Sequence, residues 1–300
     1  MTRDRNPLFY RISQIVSLLL GARIFMLILL SFSLYVSTFF LFNVEESLRQ
    51  FVFDIKVHGI IFCSILSIAA GGLINQFYDL EKDKFQKPFR SKLQGFLKQR
   101  YFLYSYITLN ALSLGIALFL SIRIFIFFLV YQFFMWIYSH KLSKVPLFNN
   151  LTFVALTLYP FFGLLVYYQH FSWLLFLMAL YLFLILLIAD IVKDFLTIRV
   201  DAIFGYETLP TKLGIKRTSI LVSILLMLNS AVSLLVVDFE SHNSILTIYF
   251  ALSSLLLISM LWLVFYFRFH RMHWLLNLLR FWIFAGVIFM LINGIYERLN

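Results

Sequence analysis

The sequence predicts an all-α integral membrane protein: nine transmembrane helices bundled around a central cavity, with the amino terminus cytoplasmic. Three observations carry that prediction. Charged residues make up 13% of the 300-residue chain and hydrophobic residues 62%, whereas a soluble domain is nearer a quarter charged. Apolar runs of about 20 residues, the length that crosses the hydrocarbon core of a bilayer, recur along the whole chain. Lys and Arg gather in alternate connecting segments, as in a polytopic membrane protein.

Taken in order, residues 6–22 mix Arg11 and Gln14 with Leu, Ile and Val, the pattern of an amphipathic helix lying in the membrane interface. Residues 1–21 are read as that segment. Met1 to Arg11 is polar and the apolar run after it lacks a small-residue cleavage site, so no cleavable signal peptide is expected. Spans are expected at 22–42, 54–75, 101–120, 122–139, 149–168, 171–190, 217–237, 245–267 and 276–296. Spans 3 and 4 are separated only by Ser121 to Arg123, which makes that boundary the weakest. The amino-terminal segment and the loops after spans 2, 4, 6 and 8 hold most of the Lys and Arg. The opposite side has Arg49, Lys56, Arg123 and Arg298. The positive-inside rule therefore places the amino terminus inside and the carboxyl terminus outside. No internal repeat, low-complexity tract or linker interrupts the chain, and residues 1–300 read as one domain.

The net charge of +11 is accounted for by those loops. No basic stripe interleaved with aromatics sits on a soluble domain, which argues against nucleic-acid binding. The one cysteine, Cys63, excludes an intramolecular disulfide and a thiolate metal cage. No obligate protein partner is evident. An unprocessed polytopic chain with this charge pattern fits a bacterial cytoplasmic membrane.

Two stretches carry chemistry. Residues 71–83 end an apolar segment and place Asn75, Asp79 and Asp83 four apart. That spacing advances about 40° per step on a helix and stacks the three oxygen-bearing side chains on one face. After a later apolar segment come Asp190, Asp194 and Asp201, again within about 40° of one another if the helix continues. Carboxylates beside hydrocarbon are costly and mark function by default. The charge pattern puts both ladders at the cytoplasmic ends of spans 2 and 6, where the two longest loops begin, as a cap over one active site.

Carboxylates alone would repel a polyanion such as a diphosphate. Mg²⁺ resolves the conflict, because it binds through one or two carboxylates together with waters and substrate phosphates. Asn75, Asp79, Asp83, Asp190, Asp194 and Asp201 are the candidate metal-holding residues. Arg90 and Lys87, Lys193 and Lys141 are placed to pair with phosphate oxygens. An allylic diphosphate held this way would ionise, its leaving group stabilised as charge develops. Some of the 37 Phe and 16 Tyr could line a dry path for the cation.

These motifs resemble those of the UbiA superfamily of intramembrane prenyltransferases, over most of the chain. The family's first motif has the pattern N-D-x-x-D-x-x-x-D; Asn75, Asp79 and Asp83 match it, with Gln76 in place of the first Asp. Tyr138-Ser139-His140-Lys141-Leu142 looks like the family's Tyr-Ser-x-Lys-Leu segment after helix 4. Lys193, Asp194, Asp201, Gly205, Thr208, Leu209 and Pro210 match the second motif, K-D-x-x-D-x-x-x-D-x-x-x-G-x-x-T-L-P. Thr197 stands where an Asp is usual, and Asp190 where many members have Glu. Phe89 to Gly95 keeps only the basic character and the Gly of an Arg-Pro-Leu-Pro-like segment, and Met26 stands where an Asn often follows the helix-1 Arg, here Arg23. The resemblance implies nine helices, with Asp79, Asp83, Asp194 and Asp201 catalytic and Asn75, Arg90, Tyr138, Lys141 and Lys193 on the diphosphate. It implies Mg²⁺-dependent transfer from a polyprenyl diphosphate to a lipophilic acceptor, such as an aromatic quinone precursor.

Competing readings stay open. A cyclase of the same superfamily would fold the cation back on its own chain, and a transporter or lipid-binding protein would need ionisable residues near the midplane or paired broken helices. Tyr138 could belong to the interfacial aromatic belt and Lys141 could be a charge anchor. Arg23 could snorkel to the interface or reach the phosphates. His58 is read as packed or interfacial. His270 and His273, with Arg268 and Arg271, are read as contacting lipid headgroups.

Overall fold

The structure, a computed structural model, describes residues 7–43, 47–240, 244–265 and 269–299. Residues 1–6 of the expected interfacial segment, the last two residues of the expected eighth span and Arg268 lie outside these. All regular structure among the described residues is helical. Nine helices there are long and apolar enough to cross a membrane.

The chain forms two compact units: Met1–Leu34 with Leu48–Leu142, and Tyr35–Ser47 with Ser143–Asn300. The first contains α1 (Pro7–Gly21), most of α2 (Ile24–Ser37), α3 (Leu48–Phe53), α4 (Ile55–Tyr78), α5 (Leu80–Gln86), α6 (Pro88–Gln94), α7 (Gln99–Leu120) and α8 (Ile122–His140). The second contains a π-helical turn continuing α2 (Thr38–Phe42), α9 (Phe148–Tyr168), α10 (Trp173–Ile203), α11 (Leu209–Leu213), α12 (Ile215–Phe239), α13 (Ile245–Phe265) and α14 (Phe269–Leu299).

Short polar residues set where the spans begin. Asp54 caps α4, its Oδ1 accepting from the amides of Lys56 at 2.9 Å and Val57 at 3.2 Å. Ser121 resolves the boundary between spans 3 and 4: its extended backbone ends α7, and its hydroxyl accepts from the Arg123 amide to start α8. Ser172 caps α10 in the same way.

In the first unit α4 packs against both α7 and α8. Lipid is as apolar as Leu, so such contacts depend on close packing and hydrogen bonds between helices. Ser67 and Ser113 share a hydrogen bond at 3.0 Å, Ser113 donates to the Cys63 carbonyl at 3.1 Å, and Gln132 Nε2 donates to Ser67 at 3.3 Å. Close packing against backbone occurs at Gly72, where a Cβ would lie 2.9 Å from the Gly21 carbonyl oxygen. That neighbour is backbone and cannot step aside. Gly72→Leu is therefore expected to destabilise the unit by about 1–3 kcal/mol, read as a lower melting temperature in detergent; an unchanged melt would contradict the close approach of α1 and α4.

In the second unit α12 and α13 are joined by Ser230 to Ser254 at 2.8 Å and by Ser233 to the Phe250 carbonyl at 2.6 Å. α10 packs on α9, α12 and α14. It also runs well past the expected span end at 190. Its 31 residues correspond to about 46 Å, longer than a hydrocarbon core of about 30 Å. The Lys193 to Asp201 stretch is thus helix and not loop, because the first backbone break comes at Gly205, whose φ is +70°. The loop expected at 76–100 likewise contains α5 and α6.

Candidate active site

The first ladder crosses a break in the helix. α4 ends at Tyr78, and Asp79, with φ −96° and ψ 10°, joins it to α5. The four-residue backbone pattern nevertheless persists: Asp79 N bonds to Asn75 O, Asp83 N to Asp79 O and Lys87 N to Asp83 O, each at 2.8 Å. The ladder is kept as register even though the cylinder is kinked. Asn75 Oδ1 accepts from the Ser139 hydroxyl at 2.6 Å, which ties α4 to the Tyr138–Lys141 segment at the end of α8. Tyr138 is half-buried and Lys141 exposed there. Gln76, in place of the family's first Asp, is buried, and its Nε2 has no hydrogen-bond partner.

Cations gather beside this ladder. Lys87 pairs with Asp83 at 3.2 Å, and Arg90 Nη2 donates to the Leu20 carbonyl at 2.5 Å. Desolvation lowers the pKa of Lys87; Asp83 opposes that, and the charges of Arg23 and Arg90 reinforce it. Arg90 is lowered by burial and then by Arg23, with Asp83 opposing. Arg23, in a left-handed turn with φ +59° between α1 and α2, therefore belongs to the same electrostatic neighbourhood. Lys87 and Arg90, crowded by the Arg23 charge beside Asp83, form an environment that an anion would relieve.

The second ladder lies on one unbroken helix. Asp190, Asp194 and Asp201 are 4%, 2% and 1% exposed, so they are not a solvated loop face. Asn150, at the start of α9 and 0% exposed, donates through Nδ2 to Asp190 Oδ2 and to Asp194 Oδ2, both at 2.9 Å. Lys193 pairs with Asp190 Oδ1 and lies 5.1 Å from the centre of the Phe153 ring. Thr197 donates to Asp201 Oδ2 at 2.5 Å. Where the family pattern has a carboxylate, this chain has a hydroxyl that orients one. Arg280 on α14 is within electrostatic reach of Asp190.

The segment after α10 is built to fold sharply. Gly205 supplies the positive φ, the Tyr206 amide bonds to the Asp201 carbonyl at 2.9 Å, and Thr208 with Thr211 forms a capping box that starts α11 at Leu209-Pro210. The matching Gly and Thr-Leu-Pro residues are thus a turn and a helix start.

The sequence reading overlooks Asn150, Ser139 as the Asn75 partner, and Arg280. Asn150 left one signal, an amide at the edge of an apolar span. Among the described residues no three His, Cys, Asp or Glu side chains form a ready-made metal cage. The oxygen donors fit Mg²⁺ all the same, since that ion takes few protein ligands and completes its shell with water and phosphate.

A family model described as the UbiA prenyltransferase family matches residues 48–284. Digeranylgeranylglyceryl phosphate synthase of Pyrococcus furiosus is 32% identical over 173 residues, 57% of this chain and 62% of that protein. The match thus spans less than two thirds of the relative's length. A solved structure reported for digeranylgeranylglyceryl phosphate synthase in membranes has the same fold, with TM-score 0.73 and 21% identity over 94% of this chain and 99% of that one. A UbiA homologue from Archaeoglobus fulgidus, solved bound to GPP and Mg²⁺, follows with TM-score 0.65 and 15% identity over 92% and 99%.

Proposed function

The chain belongs to the UbiA prenyltransferase family, and from that premise we propose that it is a Mg²⁺-dependent prenyltransferase, acting as one domain, that joins a polyprenyl diphosphate to a lipophilic acceptor. The observation that carries this reading is the second acidic set: three buried carboxylates on one helix, two gathered by Asn150 and the third held by Thr197. Such a set is costly beside hydrocarbon unless it binds a cation. The solved homologue with GPP and Mg²⁺ supports that pairing of ligands.

In the proposed reaction Asp79, Asp83, Asp190, Asp194 and Asp201, with the amide oxygen of Asn75, provide the oxygen donors. Lys193, Lys141, Arg90 and Tyr138 bind the diphosphate directly. Mg²⁺, when bound, supplies the positive charge against which the diphosphate departs. Lys193, beside Phe153 and paired to Asp190, is the residue of this set best held for contact with a phosphate oxygen. The positive-inside pattern of the sequence supports a reaction on the cytoplasmic side.

For the acceptor, the names of the relatives favour a glyceryl phosphate lipid over an aromatic ring. The test supplies purified protein with prenyl diphosphates of several chain lengths, with and without Mg²⁺. Three arms contain a prenylated glyceryl phosphate, an aromatic quinone precursor or no acceptor. Mg²⁺-dependent turnover in the first arm is expected. Turnover in the second only would restore the aromatic acceptor, release without acceptor together with a cyclic product would make the protein a cyclase, and no binding of any prenyl diphosphate would sink the reading.

A further inference from the structure

We propose that Asn150 is a positioning residue for metal binding, one that holds Asp190 and Asp194 in the arrangement that receives Mg²⁺; this rests on the transferase reading above. Two carboxylates one turn apart on a helix, both buried, repel each other in a medium that screens poorly. A neutral group with two N–H donors on one nitrogen is the smallest device that holds both without adding charge. Asn150 provides it, one proton to each carboxylate at 2.9 Å. The orientation of its amide follows, since Oδ1 in that position would face two acceptors.

The two bonds use Oδ2 of each Asp, and Lys193 takes Asp190 Oδ1. The Asp190 carboxylate is therefore fixed in rotation as well as in position, and Asp194 is anchored through Oδ2. Packing alone does not account for the residue. Asn150 Oδ1 is buried and has no hydrogen-bond partner, so the polar contribution of this side chain lies in the two bonds from Nδ2 to the carboxylates. Groups that hydrogen-bond to metal-binding carboxylates characteristically set metal affinity. Asn150 touches neither the diphosphate nor the prenyl chain in this assignment; it acts through Asp190 and Asp194.

The test is Mn²⁺ binding to the full chain in detergent, with inorganic pyrophosphate present, followed by calorimetry or by the Mn²⁺ paramagnetic signal. Asn150→Leu keeps the branched shape and loses both donors; Asn150→Ser keeps one donor and guards against a Leu variant whose larger side chain prevents folding. Leu is expected to weaken Mn²⁺ binding about 10- to 100-fold, with Ser between it and the wild type, in protein that still folds. In turnover, the Mg²⁺ concentration for half-maximal rate rises more than the rate at saturating Mg²⁺ falls. Wild-type Mn²⁺ affinity in either folded variant would overturn the positioning role while leaving the transferase reading intact. Absence of both Mn²⁺ binding and prenyl diphosphate turnover in the wild type would overturn the two together.

Discussion

Asp194→Asn is expected to lower Mg²⁺-dependent turnover of a prenyl diphosphate by about a hundredfold or more, without lowering the melting temperature. The side chain is buried and receives the Asn150 amide on Oδ2. After the substitution the new amide oxygen still accepts that bond, so packing and local geometry persist while the charge is gone. Removing one of several buried like charges also relieves repulsion and desolvation, so stability holds or rises. Asp79→Ala and Asp83→Ala, in the other unit, are expected to abolish turnover in protein that still folds. Both acidic sets are assigned to one reaction, and full activity in Asp79→Ala and Asp83→Ala alike would contradict that assignment. A fall in activity that tracks a fall in melting temperature would instead make Asp194 a structural residue.

Much of this was legible in the residues because hydropathy and four-residue spacing are local signals. The nine apolar runs correspond to nine long apolar helices among the described residues, and Asp190, Asp194 and Asp201 do share one helix. The hydropathy window ended that helix at 190 because the residues beyond it are polar, yet only Gly205 breaks the backbone. The kink at Asp79 left no trace, since the four-residue bonds continue through it. Asn150 was out of reach for another reason: its partners lie 40 and 44 positions away, and no local pattern encodes a contact at that separation. Nor does hydropathy reveal that residues 35–47 cluster with the second unit while those on either side cluster with the first.

Tyr249→Ala is expected to cost about 3–5 kcal/mol of stability, the largest structural loss among these substitutions. Tyr249 on α13 is 4% exposed. Its ring stacks on Trp282 with centroids 5.3 Å apart and planes at 14°, meets Tyr181 edge-on at 6.1 Å, and is tilted against Phe289 at 5.4 Å. Trp282, Gly286 and Phe289 recur on one face of α14, and a Cβ at Gly286 would lie 2.6 Å from the Tyr249 hydroxyl, so the ring fills the groove between the helices. The hydroxyl is 3.2 Å from the Trp282 carbonyl and 3.3 Å from the Tyr181 hydroxyl. Trp282 Nε1 donates to Ser253, and Ser253 donates to the Tyr249 carbonyl. Lipid is as apolar as the ring, so exclusion from water is not what stabilises this cluster. Its strength lies in dispersion contacts and hydrogen bonds, which a cavity forfeits outright. Tyr249→Phe keeps the ring and is expected to lose only about 1 kcal/mol while retaining turnover. Equal melting temperatures for the Ala and Phe variants would show that the ring does not hold α10, α13 and α14 together. A large gap between them, set beside Asp194→Asn, would separate the residues that hold the second unit together from those assigned to its chemistry.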